Sequence, residues 1–513
     1  MASFDQPSRR EFIGMTACGL SGVLAPRPAP DTIAAVPAVA AQAPSSGPSG
    51  ALDLRSLTIT RAAEQIRRRT LSPVDLMRAT LDRIAAVDPK VGAFITVTGD
   101  SAMDTARAAE QDIRAGRYRG PLHGIPFGVK DTYYTRGVRT TAASPVLEDF
   151  IPEFDCTIVA RLKEAGAILT GKLNLPEFSF GGFTPGCHNP WDLTRNAGGS
   201  SGGPGAALAA SLLIAATGGD TSGSIRNPAS TNGVVGHKPT FGLVSRYGVV
   251  PISWTLDHLG PMARTVEDVA ILLKAMAGHD PRDRFSARVA VPDYPSLLHR
   301  TMRGLRVGVC AEKEIERFHP DTRQAFFAAV KVVEGLGATL REVTFSDRMK
   351  LAGTTQGIIR ISEAAAYHRD YLRTRADRYK SDVGQTGGSE VSRVRTTVEA
   401  GSLITAAQYQ KCQRARTIFL EETQRLYEPI DVLLTPTMPA PAGETVTAPE
   451  TYRDWWNLSG YPAISLPCGF STSPAGLPLG LQVSGKPFED ALVLAVAHQY
   501  EAATDWHTRR PSL

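Results

Sequence analysis

Cysteine is scarce in this chain, six in 513 residues, spaced irregularly and with no C-x-x-C pair, which excludes a readable zinc site and a disulfide framework. Lys/Arg blocks are absent too: 56 basic residues face 51 acidic ones, a net charge of +5, so nothing tracks phosphates and no nucleic-acid partner is expected. No period of 20–50 residues repeats, which excludes solenoids and propellers. The 47 Gly and 36 Pro follow no fixed spacing, so a collagen-like chain is excluded as well. What is present is a globular composition, 42% hydrophobic and 21% charged, with enough apolar surface to bury a sizeable core. Length alone admits about three domains or one large α/β domain.

The amino end differs in composition. Ser8-Arg9-Arg10-Glu11-Phe12-Ile13, then the mildly apolar stretch Gly14 to Ala25 and an Ala/Pro-rich run, resembles a twin-arginine export signal. That stretch is about a dozen residues, short of the roughly 20 that span a bilayer, and its three glycines weaken helix formation; no stable membrane anchor is expected. Ala41-Gln42-Ala43 has the small-x-small form of a cleavage site. The expectation is a removable signal over residues 1–43, a Ser/Pro/Gly linker over 44–53 and a domain over 54–513, exported to the periplasm by the twin-arginine machinery. Cys156, Cys187, Cys310, Cys412 and Cys468 would remain, read mainly as buried small hydrophobes.

Helical signals follow. Ser72-Pro73-Val74-Asp75 offers an N-cap, a Pro at the first helical position and an early acid, before Val74, Met77, Leu81 and Ile84 at helical spacing. Thr265 and Thr405 open further helices by the same logic. Apolar runs at 305–309, 432–434, 463–466 and 479–483 read as buried strands of one sheet. Residues 360–397 have a weaker apolar rhythm and read as a surface insertion or cap, with a loop at Gly384 to Ser389.

Two Gly/Ser turns flank one apolar segment: Asn196-Ala197-Gly198-Gly199-Ser200-Ser201-Gly202-Gly203 and Gly218-Gly219-Asp220-Thr221-Ser222-Gly223-Ser224-Ile225-Arg226. Glycines let successive N–H groups converge on an anion, either a phosphate or the oxyanion of acyl transfer. Neither turn ends in Gly-Lys-Ser/Thr or forms G-x-G-x-x-G, which lowers the phosphate reading. A serine nucleophile needs a base. The ten histidines sit in no sharp signature, and Ser224 is not in a G-x-S-x-G elbow. Lys130 ends the apolar run Gly124 to Val129, where burial would lower its pKa enough to serve.

Gly124 to Asp131, Gly198 to Gly203 and Asp220 to Arg226 together resemble the amidase signature family, whose two key serines lie 24 residues apart, as Ser200 and Ser224 do here. The resemblance runs on through Leu256 to Pro261, Leu458 to Ile464 and Gly476 to Gln482. It implies an α/β fold, a single large domain whose mixed central β-sheet is flanked by helices on both faces. It implies Ser224 as nucleophile, Ser200 as a bridging serine on a cis peptide and Lys130 as base. Backbone amides of Thr221, Ser222, Gly223 and Ser224 would form an oxyanion hole. Ser222 departs from the pattern, which has Gly there. Phe178 and Ser179 lie where the resemblance places a substrate-pocket wall, and Asp220 with Arg226 would brace the loop.

The expected activity is hydrolysis of a carboxylic amide to a carboxylate and ammonia or an amine, with no cofactor and no metal. Its partners would be a small-molecule amide and the export machinery, and its state a monomer or homodimer. The alternatives are the glutaminase-type A subunit of a tRNA-dependent amidotransferase and an exported non-catalytic binding protein. Tyr452, Trp455 and Trp456 are read either as entrance residues, which would mildly favour an apolar or aromatic acyl group, or as aromatic core packing.

Overall fold

The computed structural model describes residues 52–380, 392–447 and 452–513. The expected signal, nearly all of the linker and the loop at 384–389 lie outside the described residues. The strands are β1 (Phe94–Val97), β2 (Pro126–Lys130), β3 (Ile168–Leu173), β4 (His188–Asn189), β5 (Asp192–Asn196), β6 (Ala215–Asp220), β7 (Val235–Lys238), β8 (His258–Ala263), β9 (Arg306–Cys310), β10 (Thr339–Val343), β11 (Val432–Pro436), β12 (Ala463–Thr472) and β13 (Ala475–Gly485). All but β4 and β5 join one sheet in the order β1-β3-β2-β6-β8-β7-β12-β13-β11-β9-β10. The sheet is mixed: β2 runs parallel to β3 and β6, and β9 parallel to β10 and β11, while β6–β8 and β12–β13 are antiparallel.

Strand alternation separates the two faces, because successive side chains point to opposite sides. Ala215 packs into one hydrophobic cluster and Ala216 into another; Leu259 and Ala263 join the first, Met262 the second. Helices cover both. Val266–Met276 supplies the first face, and the Ala-rich Gly202–Ala209 the second. The four strand runs read from the sequence are parts of β9, β11, β12 and β13.

The capping residues act as the sequence implies. Ser72 Oγ accepts from the amides of Val74 (3.0 Å) and Asp75 (3.3 Å) at the start of Pro73–Val91. Thr265 caps Val266–Met276, and Thr405 with Gln408 forms a capping box on Ala406–Tyr427; each cap is worth about 1 kcal/mol.

The described part of residues 360–397, expected as a surface insertion or cap, is mainly helical and borders a cleft. It belongs largely to helix Ala352–Thr374 and helix Arg393–Ser402, which pack together. Within the segment Arg360, Arg393 and Thr397 line a cleft rather than the core, and Gly353, Gln356 and Gly357 continue the same face towards the start of the first helix. The placement of the aromatic trio decides between its two readings. Tyr452, Trp455 and Trp456 are buried, and Trp455 packs edge-on to Phe345 with ring centroids 4.7 Å apart. They are core residues, as large aromatic surfaces usually are.

Candidate active site

Lys130 is the last residue of β2, and its neighbour β6 runs parallel, with Val129 opposite Thr217. Both strands therefore deliver their following residues to the same carboxyl edge, where α/β sheets commonly build sites. Past β6 comes the turn Thr221 to Ile225, then helix Arg226–Asn232. Lys130 is 1% exposed, and its Nζ makes one hydrogen bond among the described residues, donating to Ser200 Oγ at 2.6 Å. Burial pulls its pKa down to about 7, against the opposing pull of the Asp257 and Asp220 carboxylates. A lysine near neutrality can serve as a base.

Ser200 follows a cis peptide bond from Gly199. A side chain at Gly199 would meet the Phe183 amide nitrogen at 2.8 Å, so the close backbone approach there requires glycine. Ser201 ties the two turns together: its amide donates to the Ser224 carbonyl at 3.1 Å, while its Oγ bridges the Gly219 carbonyl and amide, both at 3.2 Å. Ser224 lines the cleft, and its Oγ makes no hydrogen bond among the described residues.

The turn itself is braced from beneath. Asp220 and Arg226 are fully buried and form an ion pair at 3.0 Å. Burial works against the charge on Asp220, yet the Arg226 guanidinium holds its carboxyl below the usual range. Arg226 also donates to Gln482 Oε1 (2.8 Å), Asn457 Oδ1 (2.7 Å) and the Arg453 carbonyl (2.9 Å). Asp220 accepts from the Gly223 amide at 2.7 Å. Gly223, placed by the sequence reading in the oxyanion hole, thus has its N–H engaged, whereas the amides of Thr221, Ser222 and Ser224 make no hydrogen bond among the described residues.

Ser222 fits where the pattern has glycine because its backbone does not enter the left-handed region. Its Oγ accepts from Gln356 Nε2 at 2.5 Å, and the same amide group donates to the Thr221 carbonyl at 2.8 Å. On the other side, Thr221 Oγ1 donates to Asp257 Oδ1 at 2.6 Å. Gly223 has φ of 94°, and a Cβ there would lie 2.8 Å from the Cβ and Cδ of Arg453. The aliphatic stem of Arg453 covers the turn.

The cleft above Ser224 has a volume of about 330 Å³, and Ser179, Ile252, Gln356, Arg360, Arg393 and Arg453 are among its walls, a size suited to a small ligand. A larger cavity of about 580 Å³ between Thr58, Thr265, His498 and Arg510 contains none of these residues. Ser179 reaches the cleft; Phe178 does not. Phe178 is 1% exposed and packs edge-on to His368 with centroids 4.4 Å apart. Among the described residues, no group of three or more His, Cys, Asp or Glu is placed to hold a metal. Sequence reasoning passed over Gln356, Arg360, Arg393, Arg453, Asn457 and the hydrogen bond that Asp257 accepts from Thr221 beside the turn. A face of small and polar residues on one helix was the available signal for Gln356 and Arg360.

Residues 75–494 match the Amidase family model. The chain is 39% identical over 496 residues to the A subunit of a glutamyl-tRNA(Gln) amidotransferase from Carboxydothermus hydrogenoformans, covering 90% of this chain and 100% of the relative. Among solved structures it is similar to the A subunit of the glutamyl-tRNA(Gln) amidotransferase from Thermotoga maritima, with TM-score 0.72, 34% identity, and 88% and 95% of the two chains covered. It is also similar to the native peptide amidase from Stenotrophomonas maltophilia, with TM-score 0.77, 28% identity, and 89% and 98% covered. These relatives correct the expected partners. A protein free of nucleic acid, working as a monomer or homodimer and handed to an export machinery, is not what a likeness to one component of a tRNA amidotransferase supports. The physical reason is that a missing basic block speaks only of phosphates touching this chain, not of nucleic acid held elsewhere in an assembly. By its matched length and its identity to full-length relatives, the chain belongs to the amidase family.

Proposed function

We propose that this chain hydrolyses a carboxylic amide through an acyl-enzyme on Ser224. The observation that carries the reading is Lys130, buried, with its pKa pulled down to about 7 and hydrogen-bonded to Ser200. Neutral Lys130 takes the Ser200 proton as Ser200 takes that of Ser224, and Ser224 Oγ bonds to the substrate carbonyl carbon. The amides of Thr221, Ser222 and Ser224 stabilise the oxyanion, each such donor being worth roughly 3 kcal/mol. The C–N bond breaks as the relay returns a proton to the leaving nitrogen, and water then releases the carboxylate by the same route. Ser179 contributes to the substrate wall. In the test, Ser224→Ala and Lys130→Ala each lose about 10³-fold or more of turnover on any amide the parent cleaves, and a fluorophosphonate probe labels Ser224. Near-parental turnover in either variant overturns the assignment.

A second reading concerns the setting. Identity of 39% across the whole length of an amidotransferase A subunit favours a glutaminase-type component that releases ammonia from glutamine for a tRNA-dependent amidotransferase. It outweighs the 28% identity to a peptide amidase as support for a free-standing enzyme. Co-expression with the other amidotransferase subunits gives a stable complex and glutamine-dependent amidation on this reading. A chain that stays alone in size-exclusion chromatography and leaves amidation unsupported refutes it.

A further inference from the structure

The amides of Thr221 and Ser222 are held by a group from outside their own turn. Gln356, on helix Ala352–Thr374, is buried, and its Nε2 donates to the Thr221 carbonyl at 2.8 Å and to Ser222 Oγ at 2.5 Å. A carbonyl oxygen only accepts, so the nitrogen of the Gln356 amide faces it, and both hydrogens of that nitrogen are spent on the turn. Among the described residues nothing else donates to the Thr221 carbonyl. The Thr221–Ser222 peptide is trans, the cis bonds among the described residues being those before Ser200 and Pro474. In a trans peptide the carbonyl and the following N–H point in opposite directions. Holding the Thr221 carbonyl against the helix therefore fixes the direction of the Ser222 N–H.

The same helix reaches the turn by a second route. About two helical turns beyond Gln356, Glu363 accepts from the Thr255 amide (3.0 Å), Thr255 Oγ1 (2.8 Å) and Ser253 Oγ. The loop it holds leads to Asp257, whose Oδ2 accepts from the amides of Ile252 (2.9 Å) and Ser253 (3.1 Å) and whose Oδ1 takes the Thr221 hydroxyl. Thr221 is thus gripped by its carbonyl and by its hydroxyl. The Gly223 amide is spent on Asp220, so the aim of the amides left open decides what the turn offers an oxyanion. Ser222, where the pattern has glycine, gives Gln356 a second acceptor.

We propose that Gln356 is a positioning residue for acyl transfer: through the Thr221 carbonyl and the Ser222 hydroxyl it fixes the Thr221–Ser222 peptide so that the Ser222 amide meets the oxyanion. The proposal rests on the Ser224 reading and adds the group that aims its oxyanion hole. Its effect falls on the step in which negative charge forms, because a hydrogen bond strengthened only in the transition state lowers the barrier without tightening ground-state binding.

The test follows labelling of Ser224 by a fluorophosphonate probe, whose phosphoryl oxygen gains charge as Ser224 Oγ bonds to phosphorus and fluoride leaves. Gln356→Met keeps the length of the side chain and removes both donors. The maximal labelling rate falls about 10- to 100-fold, part of the roughly 10²- to 10³-fold worth of an oxyanion donor. The half-saturating probe concentration moves less than about threefold. A wall contact would raise that concentration and spare the rate, and a folding fault would lower the labelled fraction instead. Gln356→Glu, nearly the same shape with an acceptor in place of the NH2, loses at least as much. A maximal rate within about twofold of the parental one in either variant overturns the proposal, as does a loss confined to half-saturation or to the labelled fraction. Should both variants fail to fold, Ser222→Ala decides: a loss of about three- to tenfold in maximal rate supports the proposal, and the parental rate overturns it. A parent left unlabelled at Ser224 removes the Ser224 reading and this proposal together, whereas a labelled parent beside an unaffected Gln356→Met protein removes this proposal alone.

Discussion

Lys130 sits at the midpoint of its own titration near pH 7, and the base form is the uncharged one. Activity is therefore lost as pH falls through about 7 and gained as it rises, and kcat/KM measured from pH 5 to 9 shows one acid limb with its midpoint there. Asp257 supplies part of the negative field that favours the ammonium, so Asp257→Asn moves the limb to lower pH; a limb unmoved or shifted upward contradicts the placement. Single residues differed in legibility. Lys130, Ser200 and Ser224 sit inside ordered motifs, and a lysine closing an apolar run is conspicuous. Arg360 is one arginine on a helix, indistinguishable in sequence from a solvated one, and Ser222 was readable as a departure but not as the acceptor of a Gln356 hydrogen bond.

At the level of elements, the turn between β6 and helix Arg226–Asn232 is held by a buried ion pair with hydrogen bonds on each side. Removing one partner leaves the other charge buried, so Arg226→Met costs about 3–5 kcal/mol of stability, seen as a lowered denaturant midpoint together with lost turnover. Asn457→Ala keeps both charges and costs less, about 1–3 kcal/mol for its unmade hydrogen bonds. The capped helices were legible because a cap and its partner lie three residues apart. Strand order was not: Val432 pairs with Val307 and Ala463 with Lys238, and nothing local records such distant pairings. The same distance hid Asn457, whose amide reaches the Asp220 carbonyl at 2.7 Å across more than two hundred residues.

On the scale of the whole molecule, Cys156, Cys187, Cys310 and Cys468 are buried, and Cys412 is partly exposed. Burial pushes the Cys156 and Cys468 thiols up to about 12. Iodoacetamide at pH 8 therefore modifies Cys412 at least about tenfold faster than those four, as peptide mass spectrometry measures; comparable rates at Cys156 contradict the packing. The sheet and its helices were foreseeable in kind from hydrophobic patterning, whereas the likeness to an amidotransferase A subunit was legible only as an alternative that the ordered motifs allowed, since charge counts describe one surface at a time. The contact between Arg453 and Gly223 bears on how such an enzyme diversifies. One arginine both lines the cleft and packs against the nucleophile's turn, so a change there alters the cleft and the turn together. Arg360 lines the same cleft from a separate helix and makes no hydrogen bond or ion pair with the turn among the described residues, so a change there alters the cleft without unmaking a bond that holds the nucleophile.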